Sequence, residues 1–186
     1  MVPPGQHIRR EATWGSIQQQ LATGKYRGVI LVSAGGYHTI GALSYKRHTL
    51  YQGNKGQFLT AYTEACRRDE VNVLRQMIPY LRTAPGKVWL LSVVTKQDVW
   101  WPDCQSVEQF YSAGEYAAGV NELTTARGIE KFRHELVPAS LVISNFVTGE
   151  AEPLLKNAEG YDHRRQVESV RRLFEAVKAL MDWEAA

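Results

Sequence analysis

A short apolar run in the middle of the chain ends abruptly in four polar residues. The run is Val88 to Val94, and Thr95 to Asp98 follow it as Thr-Lys-Gln-Asp. A run this short, rich in Val, Leu and Trp and opened by Pro85-Gly86, predicts a strand buried on both faces, as in a parallel α/β sheet. Ligands of such sheets bind outside the carboxyl ends of the strands. The sequence therefore places a hydroxyl, an ammonium and a carboxylate at the edge where a ligand would meet them.

The four residues resemble the guanine-specificity motif, [NT]KxD, of the P-loop GTPases of the Ras-like and translation-factor-like superclass. The resemblance implies that Asp98 binds guanine, because an ionised carboxylate offers two acceptors and no donor to the adjacent N1–H and N2–H2 groups. It implies that the Lys96 stem lies along the base and that Thr95 ties the loop to a neighbouring backbone. The alternative is a strand that ends in a polar turn, since a motif of four residues also occurs by chance.

A second strand end is predicted within Ala139 to Ala151, and it resembles the last conserved loop of the same GTPases. In that family a strand finishing in Ser-Ala-x presents backbone N–H groups to the guanine O6. The resemblance places Ser144, Asn145 and Phe146 in this guanine-binding triplet. Asn145 departs from the usual Ala and puts a larger side chain beside the base.

The first residues, MVPPGQH, resemble the switch II motif Asp-x-x-Gly-Gln of GTPases. The resemblance implies that Gly5 meets the γ-phosphate and that Gln6 is the catalytic residue that positions the attacking water. Val2 then stands where the family has its Mg²⁺-linked Asp, and valine cannot ligate a hard cation. A Pro-rich, loose terminus is the alternative interpretation.

A phosphate loop, G-x-x-x-x-G-K-[ST], does not occur in the sequence. The Gly-Lys pairs at 24–25 and 86–87 are followed by Tyr26 and Val88, so neither pair is a variant of that motif. The resemblance therefore implies a G domain truncated at its N-terminus, with GTP or GDP as its ligand. Mg²⁺ is expected only in a complete domain, and GTP hydrolysis only if upstream sequence supplies the phosphate loop.

Hydrophobic periodicity predicts the elements that hold these loops. The fold class is α/β, with a three-layer arrangement in which helices cover both faces of a mainly parallel sheet, and residues 1–186 form one domain. Apart from the two strands above, the pattern predicts helices at 8–21, 58–82, about 106–123 and 163–183, a strand at 27–34, and a hairpin or extended insert at about 37–57. Residues 124–135 are predicted to be helix and loop.

The last predicted helix carries two distinct groups of side chains. Its apolar residues fall on one face: Val167, Val170, Phe174, Val177 and Met181. Its arginines lie largely off that stripe and indicate a solvated basic face: Arg164, Arg165, Arg171 and Arg172.

Composition excludes several classes of protein. A chain of 186 residues with 44% hydrophobic and 22% charged residues is an ordinary globular sequence with a sizeable core. A net charge of +3 is too small to indicate nucleic-acid binding. Two cysteines and five dispersed histidines show no metal-ligand spacing. No signal peptide or membrane span is predicted, so a cytoplasmic location is expected.

A sheet that lacks the first strands of a G domain would expose a strand edge, which invites aggregation. We therefore expect an upstream segment or a protein partner to cover that edge. Two rival functions stay open. One is a non-catalytic regulatory or protein-interaction module that keeps relic guanine loops. The other is an unrelated doubly wound α/β domain that binds a different small anion.

Overall fold

A computed structural model describes residues 7–42, 44–157 and 159–186, and it contains both helices and strands. The helices are α1 (His7–Ala22), α2 (Lys55–Thr83), α3 (Gln97–Trp100), α4 (Cys104–Ala113), α5 (Glu115–Arg127) and α6 (His163–Ala185). The strands are β1 (Gly28–Ser33), β2 (Val88–Val94), β3 (Phe132–Pro138), β4 (Phe146–Val147) and β5 (Pro153–Leu155). Short 3₁₀ helices lie at Tyr45–Arg47 and Trp101–Asp103.

Strands β1, β2 and β3 form a parallel sheet in that order. The register places Ser33 beside Val94 and Val94 beside Pro138, so the three strands end level with one another. Every residue of β2 is buried, as expected of a central strand that is covered on both faces. The loops that follow the three strands therefore meet at one edge of the sheet.

Alternate residues of β2 enter two separate hydrophobic clusters. Val88, Leu90 and Val94 pack in a cluster with apolar side chains of α1, α2, α4 and α5. Trp89, Leu91 and Val93 pack in another cluster with Leu180 of α6. The protein is therefore a mixed α/β fold with a three-stranded parallel sheet and packed helices, which confirms the sequence prediction at that level.

Helix α2 forms where the sequence predicts a helix at 58–82, with slightly wider bounds. Asn54 is its N-cap, and the side-chain oxygen accepts hydrogen bonds from the backbone N–H groups of Gly56 and Gln57 at 2.8 and 3.1 Å. The apolar stripe packs into the core, with Leu74 and Leu81 fully buried.

The single helix predicted from Ser106 to about residue 123 is wrong, because the chain forms two helices. Helix α4 begins at Cys104, which places Ser106 inside the helix rather than at its cap. It ends at Ala113, and at the next residue, Gly114, a Cβ atom would lie only 2.7 Å from the carbonyl oxygen of Phe110. Glycine at this position permits the sharp break before α5, and this packing constraint left no periodic signal in the sequence.

Of the two forms expected at about 37–57, a hairpin or an extended insert, the hairpin is absent from the described residues of that segment. They contain the 3₁₀ turn Tyr45–Arg47 instead of strands. Aromatic side chains of this segment pack against α2, with the centre of the Tyr45 ring 5.6 Å from that of Phe58 and the centre of the His48 ring 5.4 Å from that of Tyr62. The alternating apolar pattern therefore reflects this aromatic cluster and not strand pairing.

The strand predicted to lead into the Ser144 triplet is also wrong. Strand β3 lies earlier and ends at Pro138, and residues 139–145 form no strand. The Ala139 N–H still bonds to the Val94 carbonyl at 2.9 Å, which completes the ladder. Beyond it the chain turns away, so residues 139–145 form a loop over the end of β2.

The structure also bears on a membrane location. Among the described residues, none of the helices combines the length and apolar character needed to cross a bilayer.

Candidate functional site

The predicted Thr-Lys-Gln-Asp loop leaves the central strand at the edge where the three strands end. The Thr95 backbone N–H and hydroxyl both donate to the Ser33 carbonyl, at 2.8 and 2.6 Å. The contact predicted for Thr95, a tie to a neighbouring backbone, is therefore present. Trp100 is fully buried and its indole N–H donates to the Thr95 carbonyl at 2.7 Å. These bonds hold the loop against the ends of β1 and β2.

Lys96 adopts a left-handed backbone conformation with φ of 59°. A non-glycine residue in that region costs about 1 kcal/mol, so the surrounding contacts must hold it there. Its ammonium lies 5.0 Å from the centre of the Phe146 ring, a cation–π contact. Burial lowers the pKa of Lys96, against the opposing effect of the nearby Asp98 and Cys66.

Asp98 is the most enclosed member of the loop, with 1% of its surface exposed. Its Oδ1 accepts a hydrogen bond from the Ser140 hydroxyl at 2.7 Å, and its Oδ2 accepts one from the Ser144 backbone N–H at 2.9 Å. A carboxylate has about four lone-pair sites, so each oxygen can accept one further bond. The Asp98 side chain thus fastens the 139–145 loop while it keeps acceptor capacity.

The predicted guanine triplet divides into residues that meet this loop and one that does not. Ser144 meets Asp98 through its backbone, and Phe146 meets Lys96 through its ring. Asn145 is exposed and its side-chain oxygen accepts from the Asn157 N–H at 3.1 Å. The structure therefore brings together Lys96, Asp98, Ser144 and Phe146, and it directs Asn145 elsewhere.

Ser140 belongs to the site and was missed by the sequence reasoning. Its side chain is fully buried, and its hydroxyl lies 2.7 Å from Asp98 and 2.9 Å from the Val142 carbonyl. The available signal was its place two residues after Pro138. A hydroxyl directly beyond a parallel strand reaches the same edge as the residues after the neighbouring strand.

A second polar cluster fixes the turn that follows β1, beside the Ser33 carbonyl that Thr95 uses. Glu70 of α2 is 5% exposed and accepts hydrogen bonds from the N–H groups of Ala34 and Gly36 at 3.1 and 3.2 Å. It also accepts from His38 Nε2 at 2.7 Å and from the Tyr111 hydroxyl. Burial alone would raise the pKa of Glu70, but these hydrogen bonds lower it overall.

The switch II residues of the expected site, Gly5 and Gln6, lie outside the described residues together with Val2, so the switch II prediction stays a prediction. Among the residues that are described, no group of three or more His, Cys, Asp or Glu side chains could hold a metal ion.

A scan against protein-family models and searches of curated proteins and of solved structures found no match.

Proposed function

We propose that this chain is a GTPase-like domain that binds a guanine base through Asp98 and Lys96 and does not hydrolyse GTP by itself. The observation that carries the proposal is the Asp98 carboxylate, enclosed at the carboxyl end of the central strand with acceptor capacity left on both oxygens. An enclosed carboxylate discriminates strongly between ligands, because a ligand without matching donors leaves it unpaired. The three-layer arrangement of a G domain is part of the same proposal.

The base would reach Asp98 only after a local rearrangement. The Ser144 N–H bonds Oδ2, and the side chain of Asp98 is almost inaccessible to solvent. Leu141, Val142, Ser144 and Asn145 are exposed. In our proposal the 139–145 loop moves outward, guanine N1–H and N2–H2 donate to the two oxygens, and the Lys96 stem lies along the base.

The residues fit the base better than they fit the rest of a nucleotide. No phosphate loop occurs in the sequence, and the described residues contain no cluster of metal-ligating side chains. A bound nucleotide would therefore depend on the base site for its affinity. In a complete domain Mg²⁺ would neutralise phosphate charge.

We expect Asp98→Asn to change the preferred base from guanine to xanthine. The substitution replaces one acceptor by an amide donor, which opposes guanine N2–H2 and suits the C2 carbonyl of xanthine. Guanine binding should weaken by about 1 to 3 kcal/mol, or roughly 5- to 150-fold. The new amide can still pair with the Ser140 hydroxyl, which can accept as well as donate. Calorimetric titrations with GDP and XDP measure the exchange.

The matched controls use ADP and a triphosphate without a base. The wild-type chain should bind GDP more tightly than either compound. Equal affinity for all three would identify a base-blind anion site and reject the guanine proposal. Unchanged relative affinities for GDP and XDP in Asp98→Asn would reject the role of Asp98 alone.

The purified chain is expected to show no useful GTP turnover even at saturating nucleotide and Mg²⁺. Phosphoryl transfer needs charge stabilisation from a metal and a phosphate-loop lysine, and positioning a water by Gln6 does not replace it. Phosphate release measured with and without Mg²⁺ tests this. Robust Mg²⁺-dependent turnover that Gln6→Ala abolishes would contradict the expectation.

One observation favours a second function, a non-catalytic interaction module with relic guanine loops. Asp98 is already paired on both oxygens by Ser140 and Ser144, so it can serve the fold alone as an anchor for the 139–145 loop. This alternative predicts no binding of GDP, ADP or a base-free triphosphate, while the first proposal requires guanine preference.

A further inference from the structure

Helix α6 presents an apolar stripe to solvent. Its sheet-facing side carries Leu180, which is fully buried, together with the partly buried Leu173, Ala176 and Trp183, and Val177 lies between this side and the stripe. Three large apolar residues of the same helix stay exposed, namely Val167 at 54%, Phe174 at 69% and Met181 at 57%. Single exposed apolar residues are ordinary, but a row of three along one helix marks a candidate interaction surface.

The stripe has the spacing of a helix-packing seam. Val170 and Val177, both half-buried, lie between the three exposed residues. The five positions 167, 170, 174, 177 and 181 advance in steps of three and four, which is the a and d pattern of a heptad repeat. Such a seam fits the side chains of a second helix running alongside.

The stripe continues onto an uncovered part of the sheet. Ile30 and Val32 of β1 are 50% and 62% exposed. Their register partners in β2 are Leu91 and Val93, which face α6, so the exposed side chains point to that side of the sheet. Strand β1 lies at the edge of the sheet and carries no charge along GVILVS. Its outer surface therefore offers an apolar floor beside α6.

The apolar stripe of α6 borders the side of the helix that is turned toward β1. The Trp89 ring lies over Gly28 of β1, where a Cβ atom would be only 2.0 Å from the ring. The Trp89 indole N–H donates to Glu184 of α6 at 2.9 Å. Glu184 follows Val177 by seven residues and Met181 by three, so all three lie on one side of the helix. The α6 seam and the outer face of β1 therefore border a common groove.

A row of positive charge lies along the outer margin of this groove. Arg164, Arg171 and Lys178 recur at steps of seven and are exposed, and Arg171 also forms an ion pair with Glu175 at 3.8 Å. Arg171 and Lys178 each lie four residues after a seam residue, Val167 and Phe174, on the side of the stripe away from the sheet. Two copies of α6 packed antiparallel along this seam would place these like charges opposite each other, which disfavours self-association.

We propose that the groove formed by the α6 seam and the outer face of β1 binds an amphipathic α-helix of a partner protein. The seam and the apolar floor select a helix with apolar residues at its a and d positions. The basic row selects acidic residues at the flanking positions, because opposite charges beside a helical seam set partner choice. This inference does not depend on guanine binding.

Two blocked synthetic peptides of three heptads test the proposal with the full chain. Both carry Leu at a and d and Ala or Gln at b, c and f, and they differ only in Glu or Lys at e and g. Fluorescence anisotropy at low ionic strength should show the Glu peptide binding at least about tenfold more tightly than the Lys peptide. Equal binding of the two, or no binding of either, overturns the proposal.

Three variants locate the binding. Phe174→Asp changes an exposed side chain and should abolish binding while the circular dichroism spectrum stays that of the wild type. The double change Arg171→Glu and Lys178→Glu should reverse the preference toward the Lys peptide. Arg172 lies off the seam and forms an ion pair with Glu168 at 2.5 Å. Arg172→Glu is therefore the control, and it should keep the preference for the Glu peptide. Binding that survives Phe174→Asp overturns the proposal. The proposal is also overturned if sedimentation velocity shows a wild-type dimer that Phe174→Asp dissociates, because the surface would then bind a second copy of this chain.

Discussion

Glu70→Gln is expected to lower the free energy of unfolding by about 3 kcal/mol at pH 7, because each hydrogen bond to a buried charged group contributes about 1.5 to 3 kcal/mol. The carboxylate accepts hydrogen bonds from the backbone N–H groups of Ala34 and Gly36. It also accepts from the His38 ring and from the Tyr111 hydroxyl. The amide keeps one acceptor oxygen and turns a donor toward groups that already donate. The turn after β1 would then lose its anchor. Urea unfolding followed by tryptophan fluorescence measures the loss.

Glu64→Gln is the matched control for this experiment. Glu64 is exposed on the same helix, and its change should stay within about 0.5 kcal/mol of the wild type. A loss below about 1 kcal/mol in Glu70→Gln would contradict the assigned role, since buried unsatisfied donors cost more than that. Because the turn also holds Ser33, to which Thr95 bonds, the variant should weaken any ligand binding at the Thr-Lys-Gln-Asp loop as well.

The elements that could be predicted are those whose burial shows as a pattern of apolar residues in their own sequence. Strand β2 reads as a nearly continuous apolar run because it is buried on both faces, and α2 shows helical periodicity because one side of it packs on the core. Strand β3 was missed because its sequence, FRHELVP, is polar in the middle. Arg133 and Glu135 pair with each other at 3.0 Å, and His134 bonds to Ser92 at 2.9 Å. The partner of His134 comes from the neighbouring strand, so nothing in the local sequence indicates it.

The same distinction applies to the candidate site. The position of Thr95, Lys96 and Asp98 at the sheet edge could be predicted because it depends only on where β2 ends. The role of Ser140 could be predicted only from the end of β3 at Pro138, and β3 was not predicted from the sequence. Because the strand was predicted too late in the sequence, the 144–146 triplet was expected beside Asp98 and the Ser140 hydroxyl was not. In the structure both Ser140, through its hydroxyl, and Ser144, through its backbone N–H, bond to Asp98.

His134 is expected to make the protein less stable by about 2.5 kcal/mol at pH 4.5 than at pH 7.5. Burial lowers the pKa of His134 from 6.5 to about 4. The unfolded chain therefore binds this proton at a higher pH than the folded chain does, so stability is present above about pH 6.5 and falls as the pH drops toward 4. Each unit of pKa difference corresponds to about 1.4 kcal/mol. Urea unfolding at the two pH values measures the change.

His134→Gln separates this effect from other acid titrations. The amide can still bond to the Ser92 hydroxyl, which also lies 2.6 Å from the Tyr116 hydroxyl, but it takes up no proton. Glu70 contributes little in this window, because the stabilisation from its lowered pKa is lost only as the pH falls below the ordinary glutamate value of 4.5. The variant should therefore lose most of the pH dependence between 7.5 and 4.5. An equal loss of stability in both proteins would show that His134 does not control the acid response.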